Sequence, residues 1–470
     1  MRVLFTASEC TPFIKTGGLA DVAGSLPRAL SQQDNTEASV ILPYYMDIPA
    51  AYKQAMKELG SFIVPVGWRR QQATLLVLEH ESITYYFIRN DHYFGRHGAY
   101  GYFDDGERFV FFSRAVVEAL AFLPFIPDIV HSHDWQTGLV PALLKILQPL
   151  PDVKSIFTIH NLQYQGAMPG EMFYELLNLG PEHFYGFEWK GGLNCLKAAI
   201  YHADKITTVS PSYADEVKTA YYGEGLDPLL RERSHDFSGI VNGIDEDSFH
   251  PEKDGYLNET YLHSPSAKKK NKTSLQKELG LPVNPDIPMI VIISRLADQK
   301  GLSLVTYLID EIMAEGFQMA VLGTGDQELE HALGMSSTHF TEQLAVRFYF
   351  DEGLARRMYA GADFFLMPSR FEPCGLGQLI ALRYETAPIV RETGGLRDTV
   401  FPFNEHTGEG NGFSFTNFNA HDMLNSIRYA KRIYEQPEHL QALYRNIYAS
   451  SVGWDQSAEK YLSLYAGLLR

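Results

Sequence analysis

Cysteine is scarce in this chain. Its 470 residues include three, Cys10, Cys195 and Cys374, too scattered for a disulfide framework and without the CxxC spacing of a zinc site. A reducing compartment fits that usage, and a cytoplasmic location is expected. Long apolar runs are also missing: nothing approaches the ~18 apolar residues that read as a membrane span. The short apolar run after Arg2 is cut by Ser8 and Glu9, unlike a secretory signal. Positive charge is in deficit. Against 57 Asp and Glu stand 40 Lys and Arg, a formal net charge of −17. Such a surface repels phosphate backbones and anionic lipids, so neither nucleic acid nor a membrane is expected as a partner. A local basic site for a small anion is left open. No segment is of low complexity.

What is present suits a globular protein, with 45% hydrophobic and 21% charged residues. The length fits two or three domains at roughly 100–200 residues each. Val3-Leu4-Phe5-Thr6-Ala7 reads as a strand. A polar, Gly-containing loop follows, and then Leu19, Val22, Ala23, Leu26 and Leu30 recur at helical spacing, with a bend expected at Pro27. The same order returns later: Met289-Ile290-Val291-Ile292-Ile293-Ser294 as a buried strand, a loop with Arg295, Lys300 and Gly301, and a helix from Leu302. Further strands are expected at 128–131, 155–159, 206–209, 319–322 and 364–367. Strands alternating with helices predict an α/β protein with doubly wound parallel sheets, and the two openings predict two such domains. Gly243, Pro251 and Gly255 break periodicity between 239 and 263 and mark a boundary there. Lys268-Lys269-Lys270-Asn271-Lys272 reads as the solvated start of a helix. Residues 94–105, rich in Gly and Tyr, read as a loop. Ala458, Tyr461, Leu462, Tyr465 and Leu469 share one face of a closing helix that Asp455 is placed to cap.

Four loops carry candidate chemistry. In Lys15-Thr16-Gly17-Gly18-Leu19-Ala20-Asp21, two glycines let backbone approach a ligand, the following helix N-terminus suits a diphosphate, and Lys15 adds a mobile charge. The Walker spacing is absent, and on spacing alone an ordinary tight turn is the commoner reading. Arg295 and Lys300 share one loop at the carboxyl edge of a sheet, where they can converge on one anion or stand as solvated charges. A departing nucleoside diphosphate needs such charge. In the run from Pro368 to Gln378, Glu372 sits at a turn before Cys374, Gly375, Leu376 and Gly377. A carboxylate there can hold sugar hydroxyls, face a cationic transition state, or cap the helix that follows. His160-Asn161 ends a strand and suits sugar hydroxyls, although by spacing alone a lone His is more often structural. Gly323-Thr324-Gly325 starts like GxGxxG but meets Glu328 at the last position, so it reads as a structural turn and argues against a nicotinamide enzyme. His131, His133 and Asp134 lack the further cluster that would complete a metal site.

Taken in order, these motifs resemble the bacterial glycogen synthase and plant starch synthase family over nearly the whole chain. Lys15-Thr16-Gly17-Gly18-Leu19 resembles its N-terminal KTGGL signature. His133-Asp134-Trp135, Thr158-Ile159-His160-Asn161, Val241-Asn242-Gly243-Ile244-Asp245, the run from Arg370 to Leu376 and Thr393-Gly394-Gly395-Leu396 resemble further ones. The resemblance implies a GT-B fold, two Rossmann-like domains facing across a cleft. The expected division is 1–245 as the acceptor-side domain, 246–450 as the nucleotide-sugar domain, and 451–470 as a helix returning to the first. It also implies glucose transfer from ADP-glucose to an α-1,4-glucan with retention, and neither metal nor cofactor.

The resemblance places the phosphate-binding pair at Arg295 and Lys300, the donor-site carboxylate at Glu372 and the sugar-contacting histidine at His160. It puts Lys15, Gly18, Asp21, Asp134, Asn161, Asn242, Cys374, Gly375, Leu376 and Gly377 around the substrates, with Phe350, or Tyr349, on the adenine. The sequence departs from the family pattern at three positions. Phe350 stands where Tyr is common, Gly377 where many relatives carry Thr or Ser, and Glu385 where Gly is usual. A left-handed turn at Glu385 is expected to cost about 1 kcal/mol or more. Ile380 occupies the position of a second Glu found in relatives outside the family, which leaves Glu372 alone.

Overall fold

A computed structural model of the chain describes residues 1–33 and 35–470. Their contacts form two units, Met1–Gly243 together with Trp454–Arg470, and Ile244–Gly453.

The first unit is built on a nine-stranded sheet. Its spatial order is Phe237–Gly239, Lys205–Thr208, Lys154–Ile159, Ile129–His133, Arg2–Thr6, Glu37–Pro43, Ile83–Arg89, Arg69–His80 and Lys57–Val66. The first seven run parallel and the last two add an antiparallel hairpin. Val3, Leu4 and Phe5 are wholly buried, which suits an unbroken apolar run in a strand covered on both faces. The helix Gly18–Ser31 continues through a buried Pro27 rather than stopping there. The closing helix, Asp455–Leu468, belongs to this unit and buries Ala458, Tyr461 and Tyr465. Leu469 lies beyond its end and is exposed. Asp455 is the first helical residue and not the cap. Trp454 holds the N-cap position, and no side chain caps the helix.

The second unit carries a six-stranded, wholly parallel sheet. Its order is Leu344–Arg347, Gln318–Leu322, Met289–Ile293, Phe364–Met367, Ala387–Arg391 and Phe413–Phe415. The lysine run does open a helix, Pro265–Leu279, capped by Ser264, but it is not uniformly solvated. Lys268 and Lys272, one turn apart, both point inward. Lys268 Nζ donates to Ala360 O, Tyr384 O and Thr386 Oγ1, and Lys272 Nζ lies 2.6 Å from Asp363 Oδ2. Lys269 and Lys270 face solvent, where they pair with Asp286 and Glu259. The helical period divides one charge run between interior and surface.

Strand order also places the functional loops. In the first unit the chain leaves Arg2–Thr6 toward Glu37–Pro43 and later resumes on the other side with Ile129–His133. In the second it leaves Met289–Ile293 toward Gln318–Leu322 and resumes on the other side with Phe364–Met367. Such reversals open a crevice beyond the carboxyl ends of the strands, where open α/β sheets bind ligands.

Candidate functional site

At the first unit's reversal, the loop after Arg2–Thr6 is organised by a residue that motif reading missed. Glu9 is buried, and its Oε2 accepts the backbone N–H groups of Thr16 and Gly17. Desolvation raises its pKa, and those two bonds oppose the rise. The only sequence signal was an acidic residue directly after a buried strand. Gly18 begins the helix, and Lys15 Nζ lies 2.8 Å from Asp21 Oδ1.

Across the reversal, Asp134 follows Ile129–His133 with φ 56° and ψ 176°, a region populated almost wholly by glycine. The conformation is held by bonds on both sides. Asp134 N donates to Thr158 O, while Asp134 Oδ1 accepts His160 N at 2.7 Å and Asn161 N at 3.4 Å. Burial lifts the Asp134 carboxyl up to about 7, against those two bonds, and nearby Glu9 adds to the rise.

His160 is half-buried, and its Nε2 lies 2.9 Å from His133 Nδ1. Desolvation pushes His160 and His131 down to about 3 and His133 well below its ordinary value, so all three rings are neutral near pH 7. His131 is tied to Thr158 Oγ1 at 2.6 Å and to Tyr465 of the closing helix at 2.8 Å. Asn242 is buried near the end of the unit, and its Oδ1 has no hydrogen-bond partner among the described residues. Asp134, His160 and Asn161 are thus brought together, and Lys15 is brought to Asp21.

At the second unit's reversal, Lys300 Nζ donates to Glu372 Oε2 at 2.7 Å and Ser369 Oγ donates to the same oxygen at 3.0 Å. Glu372 is only 6% exposed. Its loop is clamped from two sides. Arg370 N donates to Gln299 O, and Gln299 Nε2 donates to Phe371 O. Gly301 has φ +70°, and a Cβ there would sit 2.0 Å from Pro368 O; one on Gly394, at φ +44°, would sit 2.0 Å from Glu372 O. Both glycines are therefore conditions for the loop's close packing.

Cys374 is buried, while Gly375, Leu376 and Gly377 lead into the helix Gly377–Arg383. A Cβ on Gly377 would approach Phe365 Cζ to 2.8 Å, so Phe365 fills the space a Thr or Ser would need. Arg295 is exposed on the loop after Met289–Ile293. Phe350, 72% exposed, and the exposed Tyr349 follow Leu344–Arg347 at the same edge. Gly323-Thr324-Gly325 is the structural turn expected, because a Cβ on Gly323 would collide with Ser294 O at 1.8 Å.

Two Rossmann-like sheets, each with its polar groups at the reversal of strand order, define a glycosyltransferase of the GT-B fold. Among solved structures of that class, the catalytic domain of starch synthase IV from Arabidopsis thaliana bound to ADP and acarbose matches with a TM-score of 0.91. It is 31% identical and covers 99% of both chains. Sucrose-phosphate synthase from Thermosynechococcus elongatus shares the fold at a TM-score of 0.62 and 17% identity, covering 99% of this chain and 98% of its own. The family described as starch synthase catalytic domain matches residues 2–232, and glycosyl transferases group 1 matches 274–448. Glycogen synthase of Oceanobacillus iheyensis is 49% identical, covering 99% of this chain and 98% of that one. Glycogen synthase of Geobacillus stearothermophilus is 49% identical over 100% and 98%. The chain belongs to the glycogen and starch synthase family. Among the described residues no helix is long and apolar enough to cross a membrane.

Proposed function

We propose that the chain transfers glucose from ADP-glucose to the non-reducing end of an α-1,4-glucan with retention of configuration, in the cytoplasm. The observation that carries this reading is the Lys300–Glu372 pair at 2.7 Å on the sheet's reversal point. It sets a cation for a diphosphate directly beside a carboxylate for a glucosyl ring. Arg295 joins Lys300 in neutralising the charge that develops on the departing diphosphate. Phe350, with Tyr349 next to it, offers a ring to the adenine. Gly375, Leu376 and Gly377, with Cys374 behind them, line the approach of the phosphates. Glu372 of the second unit stabilises oxocarbenium character in a glucosyl ring, while His160, Asp134, Asn161 and Asn242 of the first present donors and acceptors to sugar hydroxyls. In the first unit, Lys15, Gly18 and Asp21 offer a cation and a helix N-terminus to a substrate phosphate. The acceptor 4-hydroxyl attacks the anomeric carbon from the face the phosphate leaves, and the leaving phosphate takes its proton. The relative solved with ADP and acarbose supports the pairing of an adenine nucleotide with a glucan-like ligand.

Release of nucleoside diphosphate from ADP-glucose and from UDP-glucose, each with and without glycogen, tests the assignment. Glycogen-dependent release of ADP, with little UDP, is expected. Release of UDP alone would move the donor, and silence with both would end the reading.

A further inference from the structure

The nine-stranded sheet sets two histidine contacts on one diagonal. Register pairs His131 with Ile156 and His133 with Thr158 on the neighbouring parallel strand. Because side chains alternate, residues 131, 133, 158 and 160 share a face. Each histidine reaches one step further along the partner: His131 Nε2 to Thr158 Oγ1, and His133 Nδ1 to His160 Nε2. His133 is completely buried. Its ring stacks on His131 at 4.3 Å and on Phe5 at 5.6 Å, which leaves it no freedom to turn. Its other nitrogen, Nε2, is buried with no hydrogen-bond partner among the described residues.

That nitrogen decides which ring carries the shared proton. Both rings are neutral, so each has one N–H and one lone pair. If His160 Nε2 donated, His133 would carry its own proton on the enclosed Nε2, and a buried N–H would go unmade. If His133 Nδ1 donates, only a lone pair is enclosed, and orphaned buried N–H groups are rarer in folded proteins than under-satisfied acceptors. With His160 Nε2 accepting, its single proton must lie on Nδ1.

We propose that His133 is a positioning residue that fixes His160 as the Nδ1–H tautomer, so that the ring presents an N–H donor to the oxygen of a sugar hydroxyl. The consequence rests on the sugar-contacting role of His160. A hydroxyl bound this way accepts on its oxygen and keeps its own hydrogen free for another acceptor, so the site selects for the oxygen of that hydroxyl and disfavours a deoxy sugar.

Nitrogen-15 NMR of the full chain with labelled histidine reads the tautomer without any turnover. The expected spectrum shows His160 with Nδ1 protonated and Nε2 bare. A proton on His160 Nε2 overturns the proposal by itself. Two variants separate positioning from packing. His133→Asn keeps an N–H near the place of Nδ1, whereas His133→Leu fills the space without one. The leucine variant is expected to lose kcat by about 10–100-fold, the usual scale for a partner that orients a functional histidine. The asparagine variant should recover most of that loss and keep the His160 tautomer. Equal losses in both, or none in either, would sink the positioning role. Near-normal turnover in His160→Ala would instead sink the sugar-contact reading and the functional consequence with it, while the tautomer itself stood.

Discussion

The two units equip their strand-order reversals by opposite means. In the first, beyond the exposed Lys15–Asp21 pair, the groups are close to neutral: His131, His133 and His160 are held uncharged by burial, and Asp134 is lifted up to about 7. Their placement is enforced by short directional bonds between adjacent strands and a strained backbone. In the second, charge does the placing. Lys300 pairs with Glu372, Arg295 stands exposed five residues before Lys300, and Phe350 is presented on a loop. Neutral donors and acceptors in fixed directions suit the reading of hydroxyls, whereas point charges suit a diphosphate whose own charge grows during reaction. The division of labour is chemical before it is catalytic.

Removing Glu372 strikes the charged side hardest. Glu372→Ala is expected to lower kcat by about 10²–10³-fold, the scale for deleting one group that stabilises developing charge, while ADP still binds. Steady-state kinetics with calorimetric ADP binding checks this. Near-normal kcat would remove the carboxylate from the reaction and leave the second unit as a diphosphate binder.

Asp134 is the counterpart on the neutral side. Asp134→Ala frees the backbone of His160 and Asn161 and is expected to cost up to about 10²-fold in kcat, as small misplacements do. Asp134→Asn keeps an acceptor oxygen and should lose less. A second readout uses pH. The folded carboxyl, near 7, keeps its proton where the unfolded one, near 3.8, has released it. Between those values the folded state binds more protons, and the stability contributed by Asp134 falls as pH rises. Asp134→Asn lacks that decline, so its Tm relative to the wild-type chain should rise from pH 5 to pH 8. A constant gap would mean that Asp134 is charged in the fold and that the contrast between the units is weaker than drawn.

How much of this was legible in the sequence depended on burial. The parallel strands at Met289–Ile293 and Phe364–Met367 are covered on both faces and therefore read as apolar runs. Their loops, carrying Lys300 and Glu372, were found with them. The hairpin Lys57–Val66 with Arg69–His80 is half exposed, and its apolar runs Phe62-Ile63-Val64 and Leu75-Leu76-Val77-Leu78 are bounded by polar and charged residues that blur them as strands. Lys268 and Lys272 were read as solvated because composition does not say which side of a helix faces in. His133 reads in the sequence as a metal candidate and as part of the His133-Asp134-Trp135 signature, with no role of its own. Its contact with His160 depends on strand register, which no local pattern encodes. Glu9 was invisible for a similar reason, since its partners are backbone groups seven and eight residues on.

Glu385 gives the smallest expected effect and a second case of the strain seen at Asp134. Both are acidic residues at left-handed φ, 56° and 59°. At Asp134 the carboxylate turns toward the His160 loop. At Glu385 it turns toward architecture: Oε1 accepts His263 N at 2.6 Å and pairs with His263 Nδ1 at 3.1 Å, and the His263 ring packs on Tyr448 at 4.0 Å. His263 itself sits at φ 52°, directly before the helix cap Ser264, so two strained residues brace each other. Glu385→Ala removes the bonds and keeps the strain, and should destabilise the chain by about 1–2 kcal/mol. Glu385→Gly removes both and should stay within about 1 kcal/mol of wild type. Neither should change kcat. Equal Tm losses in the two variants would mean that the left-handed turn costs little at Glu385.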